Sequence, residues 1–173
     1  MSDPDLELDS RRAIYQRIAD TPGVHFRALL DDLEYAQGTL QYQLRWLADE
    51  DLIDVSDDGK YTRYYPAAEF DEADRAVMNA LRREYSRRIL AHLLTDGPLS
   101  TTELSDRLNK AQSTVSWHLS SLADADLLTK ERDGRSVVYE VNDPDRVKYL
   151  YTVHRRSFTD KVVDRMLGLW DSY

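Results

Sequence analysis

The chain repeats itself. Residues 13–66 align without a gap onto residues 88–141 at an offset of 75, with 16 identities in the 54 pairs. In the densest stretch, Ala36-Gln37-Gly38-Thr39-Leu40 and Leu44-Arg45-Trp46-Leu47-Ala48-Asp49-Glu50-Asp51-Leu52 lie against Ala111-Gln112-Ser113-Thr114-Val115 and Leu119-Ser120-Ser121-Leu122-Ala123-Asp124-Ala125-Asp126-Leu127. This period is too long for a solenoid unit, so the expectation is two copies of one small domain. A chain of 173 residues has room for two domains of about 55–65 residues each.

The second copy gives the clearer local signals. Ile89, Leu90, Leu93 and Leu94 have helical spacing, and Asp96-Gly97-Pro98 ends that helix. Ser100 or Thr101 then caps a second helix, with Glu103 as capping-box partner and Leu104 and Leu108 facing inward. After the turn at Asn109-Lys110, a third helix opens at Ala111 and buries Val115, His118, Leu119 and Leu122. Leu127 to Arg132 and Ser136 to Val141 read as strands around Asp133-Gly134, a strong hairpin signal. The first copy repeats the plan. Ile14 and Ile18 mark its first helix, His25 to Leu33 its second and Ala36 to Glu50 its third, and a turn at Asp58-Gly59 is followed by Tyr61 to Tyr65. Helix, helix, tight turn, helix and β-hairpin make a winged helix-turn-helix. The fold class expected is mainly α with small β-hairpin wings (α+β), two such domains in tandem and a long C-terminal helix.

The residues that carry this plan also carry a resemblance. Ala111-Gln112-Ser113-Thr114-Val115-Ser116-Trp117-His118-Leu119-Ser120-Ser121-Leu122, followed by Leu127-Leu128, Gly134-Arg135 and Val138-Tyr139, resembles the ArsR-type winged-helix repressors and the wider MarR-like group. Gly38-Thr39-Leu40-Gln41-Tyr42-Gln43-Leu44-Arg45-Trp46-Leu47, with Leu52-Ile53 and Arg63-Tyr64-Tyr65-Pro66, resembles a related archaeal pattern that usually has His at the place of Gln43. The resemblance implies a transcriptional regulator whose third helix enters a major groove while the wing touches the backbone. It also implies dimerisation through terminal helices and regulation by metals, oxidants or small aromatic ligands.

Net charge is −9, which normally opposes nucleic acid. The acids are 23 Asp and 9 Glu and the bases 18 Arg and 5 Lys, a balance that resembles proteins of salt-loving archaea. In molar salt the Debye length falls to about 3 Å, so local contacts outweigh global repulsion. The charge is also uneven. Residues 1–70 carry −8 and residues 71–173 only −1. The absence of cysteine removes disulfides, thiolate metal sites and thiol switches. The acidic N-terminus has no signal-peptide pattern, and no apolar run reaches membrane-spanning length. A cytoplasmic protein with no membrane association is expected.

On the third helix of the second copy, Gln112, Ser113, Thr114, Ser116, Trp117 and Ser120 are the expected DNA-facing residues. Gln pairs with adenine, Ser with several base edges, and an apolar contact reads the thymine methyl. Ser113 and Thr114 stand where hydroxyls and free N–H groups bind phosphate, or where they simply cap the helix. Trp117 alternatively packs on a neighbouring element. Lys130, Arg132 and Arg135 surround the second wing turn and suit phosphate contacts or a minor-groove insertion, unless Glu131 and Asp133 bridge them. The first copy offers Gln37, Thr39, Gln41, Tyr42 and Arg45 on its helix and Lys60 and Arg63 on its wing. There Asp31, Asp32, Glu34, Asp57 and Asp58 would repel phosphate, so whether this copy touches DNA stays open.

The expected division is an acidic tail at 1–10, a first winged domain at 11–70, a linking helix at 71–87, a second winged domain at 88–142 and a dimerisation helix at 143–173. Asp71 to Leu94 is expected to run as one helix, and Asp145 to Trp170 as another, roughly 39 Å long. Val147, Leu150, Tyr151, Phe158, Val162, Met166, Leu169 and Trp170 are its expected dimer-forming stripe, with Arg155 and Arg156 near the dimer seam or the DNA backbone. His25, His92, His118 and His154 are scattered without metal-ligand spacing, and there is no Gly-rich phosphate loop, nucleophile elbow or triad. No metal, cofactor or enzymatic activity is expected. The function expected is a homodimeric regulator that binds double-stranded DNA sequence-specifically, with an unidentified small-molecule effector as a further partner. The alternative is a winged-helix protein–protein interaction module in a transcription or chromatin assembly.

Overall fold

The computed structural model describes residues 4–169, with side chains from residue 7 onward. It divides between Arg75 and Ala76 into two compact units. The first contains α1 (Pro4–Asp20), β1 (Val24–His25), α2 (Phe26–Leu33), α3 (Gln37–Asp49), β2 (Ile53–Asp57) and β3 (Thr62–Pro66). Helix α4 (Glu72–Leu81) carries the chain across the division. The second unit continues with α5 (Glu84–Asp96), β4 (Leu99–Ser100), α6 (Thr101–Leu108), α7 (Gln112–Asp124), β5 (Leu128–Asp133), β6 (Ser136–Val141), α8 (Pro144–Phe158) and α9 (Lys161–Met166). The fold is mainly helical with small antiparallel wings, α+β, as the residue pattern implies.

The repeat holds down to individual caps. His25 Nδ1 accepts from the Ala28 N–H at 3.1 Å to start α2, and 75 residues on, Ser100 Oγ accepts from the Glu103 N–H at 3.2 Å to start α6. Glu34 and Asn109 end those helices in the left-handed region at φ 51° and 52°. Ala36 and Ala111 start the third helices without a side-chain cap. Neither Ser113 nor Thr114 is therefore a capping residue. Asp51 and Asp126 turn the chain into each wing at φ 56° and 60°.

Each unit buries one face of three helices against a three-stranded sheet. The orders are β1-β3-β2 and β4-β6-β5, all antiparallel. Ile14, Ile18, Leu29, Leu40, Leu47 and Ile53 form the centre of the first core; Ile89, Leu90, Leu104, Val115, Leu119 and Leu122 form the second. Fully burying such a side chain contributes about 1.5–3 kcal/mol. A polar tie joins the first and third helices of each copy at matching positions. Arg11 Nε donates to Gln43 Oε1 at 3.0 Å, and Ser86 Oγ lies 3.5 Å from His118 Nδ1. Gln43 is buried, whereas His118, expected to be buried at the matching position, is only half-buried.

Two helices expected to be continuous are broken. The span from Asp71 to Leu94 is interrupted at Arg83, whose backbone is extended (φ −99°, ψ 123°). Arg87 Nη1 binds the Leu81 carbonyl at 2.9 Å, supplying a partner that the next helical turn would otherwise have supplied. The span from Asp145 to Trp170 is interrupted at Thr159, which is left-handed at φ 51°, and Asp160, which caps α9 through the Val163 N–H at 3.2 Å. Asp160 is buried and paired with Arg87 at 2.9 Å and Arg88 at 3.4 Å. The long helix thus stops after 15 residues, about 22 Å. Tyr151 Oη then donates its proton to Asp164 Oδ1 at 2.5 Å, with the Asp160 carbonyl 3.2 Å away, tying α9 to α8.

Candidate nucleic-acid interface

Helix α7 is amphipathic because Val115, Leu119 and Leu122 recur at helical spacing and are buried. Its other side presents Gln112, Ser113, Thr114, Ser116 and Ser120, all exposed, together with Trp117 at 57% exposure. The Trp117 ring meets His118 in a T-shaped contact at 5.0 Å, and most of its surface stays open. His118 in turn lies 5.7 Å from the Tyr85 ring. Burial, followed by the charge of Arg83, holds the His118 pKa below its ordinary value. This keeps the ring neutral behind the exposed face.

The second wing leans on the same helix. Strand β5 packs on α7 at its base, where Leu128 is buried. Lys130 and Arg132 follow at two-residue steps and so share the face of Leu128. In register they oppose Tyr139 and Val137. Asp133 pairs with Ser136, which leaves Gly134 and Arg135 as a two-residue loop. Gly134 is at φ 63° and Arg135 is not left-handed, which fits a II′ turn with glycine in its first central position. Lys130, Arg132 and Arg135 are exposed, and among the described residues no ion pair engages them. Glu131 and Asp133 do not bridge them.

The first copy is built differently where it matters. Gln37, Thr39, Gln41, Tyr42 and Arg45 are exposed on α3, as expected. Lys60 is exposed, with its ammonium 5.1 Å over the Tyr61 ring. Arg63 departs from the expectation of a DNA-facing wing base: it is 2% exposed. Its Nε donates to Asp58 Oδ2 at 2.5 Å and its Nη1 to the Gly23 carbonyl at 2.9 Å. Asp58 also accepts from the Lys60 and Tyr61 N–H groups at 3.0 and 2.7 Å, so one carboxylate organises the whole wing turn. The repeat held a signal for this, since the equivalent of Arg63 is Val138, an apolar strand residue. Between α3 and this wing lies a groove of about 570 Å³, lined by Phe26, Leu44, Arg45, Val55, Thr62 and Tyr64 among others.

Four of the eight residues of the expected dimer stripe are buried within the chain. Val147, Leu150, Tyr151 and Phe158 are buried in the second unit, with Tyr151 stacked on Phe158 at 5.1 Å. Met166 and Leu169 are half-buried, Val162 is exposed, and Trp170 lies outside the described residues. The break at Thr159 turns the chain so that α9 packs on α5. Tyr149 and Val153, one turn apart on the other side of α8, are 66% and 56% exposed. Arg155 Nη1 donates to the Leu169 carbonyl at 2.5 Å, while Arg156 is exposed.

Among the described residues, no group of three or more His, Asp or Glu is placed to hold a metal ion, and no helix is long and apolar enough to cross a membrane. A family profile described as an N-terminal HTH domain matches residues 8–78, and one described as a helix-turn-helix domain matches residues 82–131. An HTH-type transcriptional regulator of Methanocaldococcus jannaschii is 32% identical over 135 residues, covering 78% of this chain and 34% of that protein. The HTH-type transcriptional regulator NmtR of Mycobacterium tuberculosis is 38% identical over 58 residues, covering 34% of this chain and 48% of that protein. The chain thus spans between a third and a half of the length of these relatives. The solved structure of HlyU from Vibrio cholerae is 28% identical, with a TM-score of 0.42, covering 49% of this chain and 90% of that one.

Proposed function

Since helix-turn-helix profiles match the chain twice in tandem, over residues 8–78 and 82–131, we propose that it binds double-stranded DNA sequence-specifically, as a homodimer, to regulate transcription. The second domain is the main reader. One observation carries this reading: three exposed wing bases without ion-pair partners stand beside the exposed polar face of α7. Unpaired cations give salt-dependent backbone affinity, and the hydroxyl, amide and indole groups of α7 read base edges. The work of the protein is binding, carried out where the DNA is, in the cytoplasm.

The homodimer rests on Tyr149 and Val153, whose exposure on α8 leaves an apolar face for a second copy. A two-fold dimer would read a palindromic site. A different reading suits the first domain. With Arg63 withdrawn into the wing and a groove of mixed lining beside α3, it fits a partner surface better than a second DNA reader. The test is selection of bound duplexes from a random pool by the full chain. Enrichment of one palindromic motif is expected; salt-dependent binding without any enriched motif would remove sequence specificity from the proposal.

A further inference from the structure

We infer that Lys110 is a backbone-phosphate contact of the second domain and that Tyr85 is the residue that positions it. The inference rests on the DNA-binding reading above. Lys110 lies in the turn between α6 and α7, two residues ahead of Gln112, and is exposed. Its backbone is fixed at both ends: the N–H donates to the Ser105 carbonyl at 3.2 Å and the carbonyl accepts from Ser105 Oγ. Ser105 itself is buried, so the anchor is part of the core. Ahead of it, Asn109 sets the direction of the turn at φ 52°.

The side chain is also directed. The ammonium stands 5.0 Å over the Tyr85 ring. The Tyr85 side chain raises its pKa, and the charge of Glu84 acts in the same direction. A lysine normally gives up much rotamer freedom when it contacts a phosphate. One already leaning on an aromatic face gives up less, and the cation–π contact holds it there without neutralising its charge. Among the described residues no carboxylate forms an ion pair with Lys110. Tyr85 reaches His118, and His118 meets Trp117, so one chain of rings joins the cation to the exposed face of α7. The first copy has Tyr35 and Ser10 at the equivalent positions and lacks the pair altogether. The device therefore accompanies the copy whose wing bases are unpaired.

The test measures duplex affinity of the full chain against salt for the unaltered protein, Lys110→Gln, Tyr85→Phe, Tyr85→Leu and the Lys110→Gln/Tyr85→Leu double variant, with a thermal melt of each. Lys110→Gln is expected to reduce the slope of log K against log salt by about 0.9, equally on specific and unrelated duplexes. Tyr85→Phe keeps the ring and most of the affinity. Tyr85→Leu weakens binding in the unaltered background and adds nothing in the Lys110→Gln background. An unchanged slope for Lys110→Gln, or additive losses in the double variant, overturns the inference while leaving the DNA reading intact. If Tyr85→Leu fails to fold, the Lys110→Gln and Tyr85→Phe arms still decide. If the unaltered chain shows no salt-dependent binding, the DNA reading falls and the inference with it.

Discussion

Arg63 and Asp58 form a buried ion pair behind the turn of the first wing, 2.5 Å apart, with side chains 3% and 5% exposed. The pair converts what looks like a DNA-facing base into a structural tie between the wing and the Gly23 carbonyl. Gly23 is itself fixed in kind: at φ +87°, with an added Cβ only 2.9 Å from Tyr65 Oη, no other residue fits there without strain.

Breaking that pair is expected to cost stability rather than DNA affinity. Removing one partner of a buried pair strands the other, at about 3–5 kcal/mol. Arg63→Ala should therefore lower the urea midpoint of the first unit while leaving the salt slope of DNA binding unchanged. A reduced slope with an unchanged midpoint would return Arg63 to the DNA contacts.

Arg135→Ala is expected to do the reverse. It is exposed in a two-residue loop and, among the described residues, in no ion pair, so the melt should not move. Affinity should fall uniformly across duplex sequences, with a salt slope smaller by about 0.9. Equal affinity for all salt concentrations tested would remove the second wing from the interface.

Gln112→Ala and Ser116→Ala are expected to alter sequence preference. A base-edge contact is worth about 1–3 kcal/mol of discrimination at one position. The check is motif selection with each variant: one or two positions of the motif should relax while backbone-driven affinity persists. An unchanged motif would place these residues off the bases.

Acid is expected to weaken both units through depressed carboxylates. Burial pushes the Asp58 carboxyl up, but the hydrogen bond from Arg63, the Tyr61 and Lys60 N–H groups and the Arg63 charge together bring it from 3.8 to about 2. Burial likewise opposes, and Arg87, the Val163 N–H and Arg88 outweigh it, at Asp160, which is also lowered. A depressed folded-state pKa contributes stability that is full above the unfolded value and is lost as pH falls towards the folded one. For Asp58 that window runs from 3.8 down to about 2. Urea midpoints measured against pH should fall across it, and Asp58→Asn should flatten the part due to the first unit.

Charging the exposed face of α8 is expected to separate the dimer. Tyr149→Glu with Val153→Glu should halve the sedimenting mass and weaken binding to a palindromic site without lowering the melt. A monomeric unaltered chain would remove the homodimer from the proposal.

Much of the fold was legible in the residues because its signals are local. The Ser100–Glu103 cap, the left-handed Asn109 and the Asp133-Gly134 turn each depend on groups within about four residues, and the offset of 75 transfers them to the first copy. The burial of Val115, Leu119 and Leu122 on α7 followed from spacing alone, while His118, expected beside them, is only half-buried. Lys110 gave no comparable signal. Tyr85 precedes it by 25 residues, and only packing brings the ring beneath its ammonium.

The sequence by itself determined two winged helices, their caps, and the exposed faces of α3 and α7, because helix periodicity and turn chemistry act over a few residues. The tertiary structure decided which charges are available. Arg63 is consumed by Asp58 and by Gly23, 40 residues away, whereas Arg135, in the exposed loop of the second wing, stays open. It also decided where helices stop. Arg87 reaches Asp160 across 73 residues and helps hold the C-terminal segment, and four residues of the apolar stripe expected to join two chains, Val147, Leu150, Tyr151 and Phe158, are buried within one. Such ion pairs are strong only where burial removes water, and burial depends on the whole packed domain rather than on any short stretch of its chain.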